Sequence, residues 1–376
     1  MKKLVTSPLT DYMFYKAGKL GLPFSGTFEL TPLCNFHCRM CYVRKTIEEV
    51  KVCNRQMRTV EQWLELAREA QNAGMLYLLL TGGEPTIYPG FWELYEKLSY
   101  MGLLISINTN GSMIDEKATE ILLKRPPRKI NITLYGASDE TYEKLCGIRQ
   151  VFSKIDTAIS RLKESGIQVK LNCSLTPWNA DELEAMVRYA KAKELVLDVT
   201  SYMFPPLRRN ENMIGKNQRF EPEESAFYRM KTYCLQYGEV EYKKYLHRLI
   251  EGSAIPLGLE EDCIDLQDGQ LRCRAGKSSF WVTWDGWMTL CGMMIEPKIE
   301  MTNRSFRECW EELKEVSGEL ILSGICERCE NQLICHSCAA MAQTETGSFS
   351  KVPVYLCQMV KEMKRLAKIE LAEIDT

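Results

Sequence analysis

Three cysteines within eight residues, Cys34, Cys38 and Cys41, place three thiolates in one short stretch of this 376-residue chain. Three sulfurs so spaced can ligate three corners of a [4Fe–4S] cube, with no protein ligand within the motif for the fourth iron. An open coordination position is what a metal needs to bind and activate another molecule. A zinc knuckle using His37 and three unconnected thiols are the alternatives. His37 adjoins Cys38 and does not have the usual spacing of a zinc ligand.

A second set lies towards the C-terminus. Cys273 is followed by twelve residues, Gly286, four residues and Cys291; then come Cys326-x2-Cys329-x5-Cys335-x2-Cys338 and, after eighteen residues, Cys357. The two pairs of two-residue spacing also suit a zinc ribbon, but zinc needs four ligands and leaves Cys273, Cys291 and Cys357 unexplained. Cys263 is a further candidate. Cys53, Cys146, Cys173, Cys234 and Cys309 stand alone and read as small buried hydrophobes or, for one of them, a hydrogen-atom donor.

The elements that position these thiols follow from apolar patterning. Strand-like runs at Thr27–Leu30, Leu76–Leu80, Leu104–Asn108, Lys129–Leu134, Val169–Leu175 and Leu195–Thr200 alternate with helical patterns at Val60–Asn72, Phe91–Tyr100, Glu116–Lys124, Ile155–Ser165 and Ala180–Ala192. Repeated β/α units imply an α/β fold with a parallel sheet. A full or partial (β/α)6 TIM-like barrel is expected, with a doubly wound sheet as the alternative. In a barrel, chemistry gathers at the C-terminal strand ends. There lie Cys34, the segment Thr81-Gly82-Gly83-Glu84-Pro85, Thr109–Gly111, Leu134–Gly136, Thr176 and Tyr202. The expected organisation is an N-terminal extension (1–26), a partial barrel (27–204), a connecting helical segment (205–255) and a cysteine-rich domain with a C-terminal helix (256–376). Pro205, Pro206, Arg208, Arg209 and Asn210 mark the break, and Glu223–Glu251 reads as helical. Met359, Met363, Leu366 and Ile369 form the apolar stripe of the last helix.

Composition bounds the partners. A formal charge of −2 provides no basic field for nucleic acid or anionic membranes. No apolar run approaches the roughly 18 residues of a membrane span. No signal-peptide core is present, since Asp11 and Lys16 interrupt it. A cytoplasmic protein is expected. Sixteen cysteines in such a chain then point to metal binding or catalysis rather than to structural disulfides.

On the Cys34/Cys38/Cys41 spacing and the Gly-Gly-Glu-Pro segment, the sequence resembles the radical S-adenosylmethionine (SAM) superfamily. The resemblance implies that SAM chelates the open iron through its amino and carboxylate groups. An electron from the cluster then cleaves it to methionine and a 5′-deoxyadenosyl radical, which abstracts hydrogen from a substrate. Gly82, Gly83, Glu84 and Pro85 match the segment that binds the cofactor's amino group; the glycines permit close backbone approach and Glu84 offers an anion to the ammonium. Asn108, Asn110 and Gly111 lie where ribose or methionine is contacted. Arg149 resembles the arginine near the cofactor carboxylate. Met40 departs from the usual aromatic beside the adenine.

The C-terminal pattern resembles the SPASM domain of peptide- and protein-modifying radical enzymes, apart from two residues rather than three between Cys335 and Cys338. By that resemblance Cys273, Cys291 and Cys338 bind a first auxiliary [4Fe–4S] cluster, with Cys263 a plausible fourth ligand. Cys326, Cys329, Cys335 and Cys357 bind a second. The two resemblances cover roughly residues 27–200 and 260–360. They imply a peptide or protein substrate, an oxidative modification (thioether or carbon–carbon crosslink, epimerisation or side-chain oxidation), and a reducing partner such as flavodoxin or ferredoxin. A leader-binding domain has no room before residue 27. Sulfatase maturases are the runner-up, but their catalytic Asp after the second SPASM cysteine is Gly292 here. Small alcohol or sugar dehydrogenation and a non-enzymatic electron carrier are further alternatives. Tyr135, Tyr202 and Asp285 are candidate acid–base groups, with none assigned.

Overall fold

The computed structural model describes residues 8–53, 55–205, 219–253, 271, 273–294 and 296–374. Cys263 and the break residues Pro206, Arg208, Arg209 and Asn210 lie outside the described residues. Among the described residues nine strands form one sheet: β1 (Ser25–Glu29), β2 (Tyr77–Thr81), β3 (Leu104–Thr109), β4 (Lys129–Thr133), β5 (Val169–Ser174), β6 (Val196–Thr200), β7 (Ser279–Val282), β8 (Trp287–Thr289) and β9 (Lys298–Glu300). Their order is β6-β5-β4-β3-β2-β1-β7-β8-β9. The first six strands are parallel and run consecutively across the sheet.

That order selects between the two folds left open by periodicity. A doubly wound sheet reverses its strand order at a switch point. Here it never reverses within β1–β6, so right-handed crossovers lay every connecting helix on the same face. The opposite face is left for the lumen of an open (β/α)6 partial barrel. Strand β6 is at one edge, and β1 pairs with β7 instead of closing on it.

Residue alternation follows this asymmetry. Leu78, Leu80, Ile105, Ile107, Ile130, Ile132, Leu171 and Cys173 are buried under the helices. Phe28 stacks on Trp63 of the helix Val60–Asn72, with ring centroids 4.9 Å apart. The intervening positions point to the other side. Asn108 stands opposite Asn131, Asn131 opposite Lys170, Thr133 opposite Asn172, and Asn172 opposite Asp198. Parallel strands are ordinarily apolar on both faces. This concave face is polar.

The segment before the barrel contains a helix, Pro8–Leu20, and β1 begins two residues before the apolar run suggests. A further helix, Asp139–Cys146, follows β4. The expected helical stretch Glu223–Glu251 is two helices, Pro222–Tyr237 and Glu239–Glu251, broken at Gly238. Both pack with the C-terminal helix Val354–Ile374 around Met230, Tyr245, Leu249, Met359 and Met363. The terminal stripe is therefore core at Met359 and Met363, whereas Ile369 remains 43% exposed. No described helix is long and apolar enough to cross a membrane.

Candidate active site

The loop carrying Cys34, Cys38 and Cys41 leaves the C-terminal end of β1 and is laced to three other segments. Against β2, Gly83 N donates to Thr31 O (2.7 Å) and Glu84 N to Leu33 O (2.9 Å). Against the end of β3, Asn110 Nδ2 donates to Asn35 Oδ1 (2.8 Å) and Asn35 Nδ2 to Ser112 Oγ (2.9 Å). Against the helix Asp139–Cys146, His37 N donates to Cys146 O (2.8 Å) and Arg39 N to Leu145 O (3.1 Å).

This lacing gives structural work to residues that the sequence suggests as cofactor contacts. A Cβ on Gly83 would stand 2.2 Å from Leu33 O, and one on Gly82 2.5 Å from Thr31 O. The glycines are required by backbone packing against the cysteine loop itself. Glu84 is fully buried, and its carboxylate accepts from Thr86 N (3.1 Å), Thr86 Oγ1 (2.6 Å), Thr109 Oγ1 (2.7 Å) and Asn110 N (2.7 Å). Three of these bonds fall on Oε1 and one on Oε2, which leaves little acceptor capacity for an ammonium. Burial raises the Glu84 pKa against the pull of its donors. Its visible work is to brace β2 against β3. Pro85 opens the short turn Pro85–Ile87 beside it.

Arg149 is not brought to this cradle. Its side chain is 80% exposed, and Nε pairs with Glu143 Oε1 at 2.6 Å. Asn108 lies on the concave face, its Oδ1 accepting from Asn131 Nδ2 at 2.6 Å. Asn110 Nδ2 also approaches Cys34 Sγ at 3.9 Å. Asp285 accepts from Thr283 Oγ1 (2.6 Å) within the β7–β8 turn. Tyr202 donates to Glu345 Oε1 at 2.7 Å. Both are tied into local structure.

The donor set fits a cluster. Cys34 Sγ accepts from Phe36 N at 3.3 Å, and Cys41 Sγ from Arg44 N at 3.2 Å. Such N–H···S bonds stabilise thiolate ligands. Burial pushes the Cys34 thiol up to about 12, against the Phe36 amide; a bound cation reverses that preference outright. Among the described residues no three His, Cys, Asp or Glu side chains converge as a single ion requires. A cube takes each sulfur on a separate iron, so its ligands surround a space rather than meet in it.

The C-terminal cysteines fall into two groups. Burial raises Cys291 to about 12, with Cys338 and Cys273 adding to the rise, and Cys338 responds to Cys273 in turn. Cys357 is raised by burial and then by Cys335, Cys326 and Cys329; Cys335 is likewise raised by burial and influenced by Cys326. Cys291 Sγ accepts from Met293 N at 3.3 Å. Cys338 is the N-cap of the helix Ala339–Thr346.

Several residues were not legible as functional. Glu29 is fully buried at the end of β1, and Trp281 Nε1 of β7 donates to its Oε2 at 3.1 Å. Alternation places both on the concave face. The Trp281 ring also fills the position beside Cys291, where a Cβ on Gly292 would lie 2.7 Å from it. Arg219 and Glu345, 7% and 6% exposed, form a buried pair (Nη2–Oε2, 2.8 Å). It joins the C-terminal region to the barrel through Tyr202 and Met203 O. Their partners are too distant in sequence for spacing to reveal.

Residues 28–190 match the model of the Radical SAM superfamily. The AdoMet-dependent heme synthase of Methanosarcina barkeri is 23% identical over 336 residues, 87% of this chain and 94% of that protein. The sporulation killing factor maturation protein SkfB of Bacillus subtilis is 28% identical over 187 residues, 48% of this chain and 43% of that protein. Among solved structures, anSMEcpe with bound AdoMet and Kp18Cys peptide superposes with a TM-score of 0.67 at 19% identity, over 94% of this chain and 99% of that one. At that identity the likeness concerns the fold. Residues 28–190 are thus a radical SAM domain, of an enzyme superfamily that uses S-adenosylmethionine and a [4Fe–4S] cluster.

Proposed function

We propose that this enzyme installs an oxidative modification in a peptide or protein, with Cys34, Cys38 and Cys41 holding the catalytic cluster. The carrying observation is the polar concave sheet face, which runs from Asp198 on β6 to Trp281 on β7, with the loop of Cys34, Cys38 and Cys41 leaving β1 between them. Its amide, hydroxyl and charged side chains suit a polar chain with many hydrogen-bonding groups. The partial match to a peptide-maturation protein supports the same reading. When bound, the cluster and SAM supply a 5′-deoxyadenosyl radical.

The chain's own residues do the rest. Thr31, Gly83, Glu84 and Asn110 hold the three strand ends in fixed register. Cys273, Cys291 and Cys338, and separately Cys326, Cys329, Cys335 and Cys357, would hold two auxiliary clusters able to accept the electron left by an oxidised product. Glu29 lies among the concave-face groups as a buried carboxylate that accepts from Trp281 Nε1. An Asp at position 292, as in sulfatase maturases, would collide with Trp281.

A second reading is a heme-precursor substrate, favoured by the match along 94% of the AdoMet-dependent heme synthase. Anaerobically reconstituted protein with SAM and reductant is expected to form 5′-deoxyadenosine, and replacing Cys34, Cys38 and Cys41 by Ala to abolish it. Retained cleavage in that variant would sink the assignment. Candidate peptides and porphyrins are then compared by mass shift. Stimulation by porphyrins alone selects the second reading.

A further inference from the structure

The six parallel strands carry one buried polar side-chain atom with nothing to bond to among the described residues. Asn131 stands in the middle of β4 on the concave face and is 8% exposed. Its Nδ2 donates to Asn108 Oδ1 at 2.6 Å, but its Oδ1 is buried and accepts from no described residue. The other buried groups in that condition, among them Trp63 Nε1, Tyr245 Oη and Ser278 Oγ, lie off these strands. Nearby donors do not turn to it. Lys170 is the partner of Asn131 on β5, yet its Nζ reaches Asp198 Oδ2 at 2.9 Å. Asn172, further along β5, stands between Thr133 and Asp198; it is half-buried, and its side-chain amide bonds to no described residue.

Folding alone does not account for this arrangement. Strands of parallel sheets are ordinarily apolar on both faces, and a valine at position 131 would fill the space without hiding an acceptor from water. A buried acceptor left unbonded costs stability. Such groups are retained where function needs them, as at a binding site whose ligand supplies the missing partner. A small rotation about χ2, a broad torsion in asparagine, presents Oδ1 to the lumen. Asn131 and Asn172 are diagonal neighbours on adjacent strands and share the concave face. Together they offer that face one open acceptor and one primary amide. A peptide group presents the complement, one N–H and one C=O. The carboxylates of a porphyrin present acceptors alone, which Asn131 Oδ1 cannot bond.

We propose that Asn131 and Asn172 are specificity-determining residues that read one peptide group of the substrate: Asn131 Oδ1 accepts from its N–H, and Asn172 Nδ2 donates to its C=O. The proposal rests on the reading of the substrate as a peptide or protein. It gives the enzyme a contact to the main chain, independent of the side chain that is modified, and sets the height at which the substrate lies in the lumen.

The test uses the full chain, reconstituted anaerobically, as wild type, Asn131→Val, Asn131→Thr and Asn172→Val. Valine and threonine are nearly isosteric and differ by a hydroxyl that can accept. The probe is the peptide that the wild type shifts in mass, and SAM binding is measured separately by calorimetry. Asn131→Val is expected to raise KM for that peptide roughly 3- to 10-fold at unchanged kcat, the loss of one neutral hydrogen bond. Asn131→Thr should lie nearer to wild type, Asn172→Val should raise KM in the same range, and SAM affinity should stay unchanged in all three. Unchanged KM in both valine variants overturns the proposal. So does a fall in denaturation midpoint for Asn131→Val with KM unaltered, the split expected of a merely structural asparagine. A loss of SAM affinity in Asn131→Val overturns it too, by making the residue a cofactor contact. If Asn131→Val does not fold, an unchanged KM in Asn172→Val alone decides against it. A wild type that modifies porphyrins and no peptide refutes the peptide reading itself, a result visible before any variant is compared.

Discussion

The first cysteine loop and the 326–338 segment both gather thiols, but they are held differently. The first is bonded outwards. Its backbone donors and acceptors reach residues 81–84 and 145–146, so the barrel shapes the loop. Among the described residues the backbone bonds of the second stay local: Cys329 N to Cys326 O (3.4 Å), Gln332 N to Cys329 O (3.0 Å) and Cys335 N to Asn331 O (2.8 Å), with one side-chain tie from Lys364 Nζ to Asn331 Oδ1 (3.0 Å). Around it Ile321, Ile325 and Leu333 are 70%, 71% and 52% exposed. The fold prepares the first loop in advance, whereas the second segment would take more of its order from the auxiliary cluster proposed for it.

Removing iron should sharpen this contrast most visibly. After chelation under reducing conditions, amides in 321–338 are expected to exchange at least ~10-fold faster, while those of 30–41 change much less. Equal acceleration in both segments, read by hydrogen exchange and mass spectrometry, would contradict the contrast. Next in size is the clamp between the regions. Glu345→Ala leaves Arg219 buried without its partner and should cost ~3–5 kcal/mol, read as a fall in denaturation midpoint; Glu345→Gln should cost less.

A smaller effect is expected inside the prepared site. Gly83→Ala forces a methyl against Leu33 O and should destabilise by ~1–3 kcal/mol, with reduced iron loading at the first loop. Wild-type stability and loading would show that the two strand ends separate easily. Smallest is Arg149→Ala. With its guanidinium exposed and paired only at the surface, the change should stay within ~0.5 kcal/mol and leave SAM affinity unaltered. A large loss of affinity by calorimetry would restore the cofactor contact suggested by sequence.

Much of the barrel was legible because β1–β6 carry apolar residues at every second position and long amphipathic helices between them. Strands β7–β9 were not, being three or four residues long with no periodicity to detect. The same limit applies to the eight-residue helix Asp139–Cys146. A candidate site could be proposed from sequence where residues cluster along the chain, as do Cys34, Cys38 and Cys41. Long-range partners could not be read that way: Glu84 shows its bonds to Thr109 and Asn110 only in the fold. Trp281 and Glu29 meet across the sheet by strand pairing alone.

Strand β1 ends as an interior strand because β7 joins it, pairing Ser25 with Ser279 on one side and with Tyr77 on the other. The ribosome makes these two flanks at very different times: the second arrives 254 residues after Ser25 (279 − 25 = 254). Throughout that interval the strand that launches the first cysteine loop has a naked hydrogen-bonding flank, the kind of surface that sticks to other chains. The nascent strand therefore needs that flank shielded until β7 has been made and has paired with it.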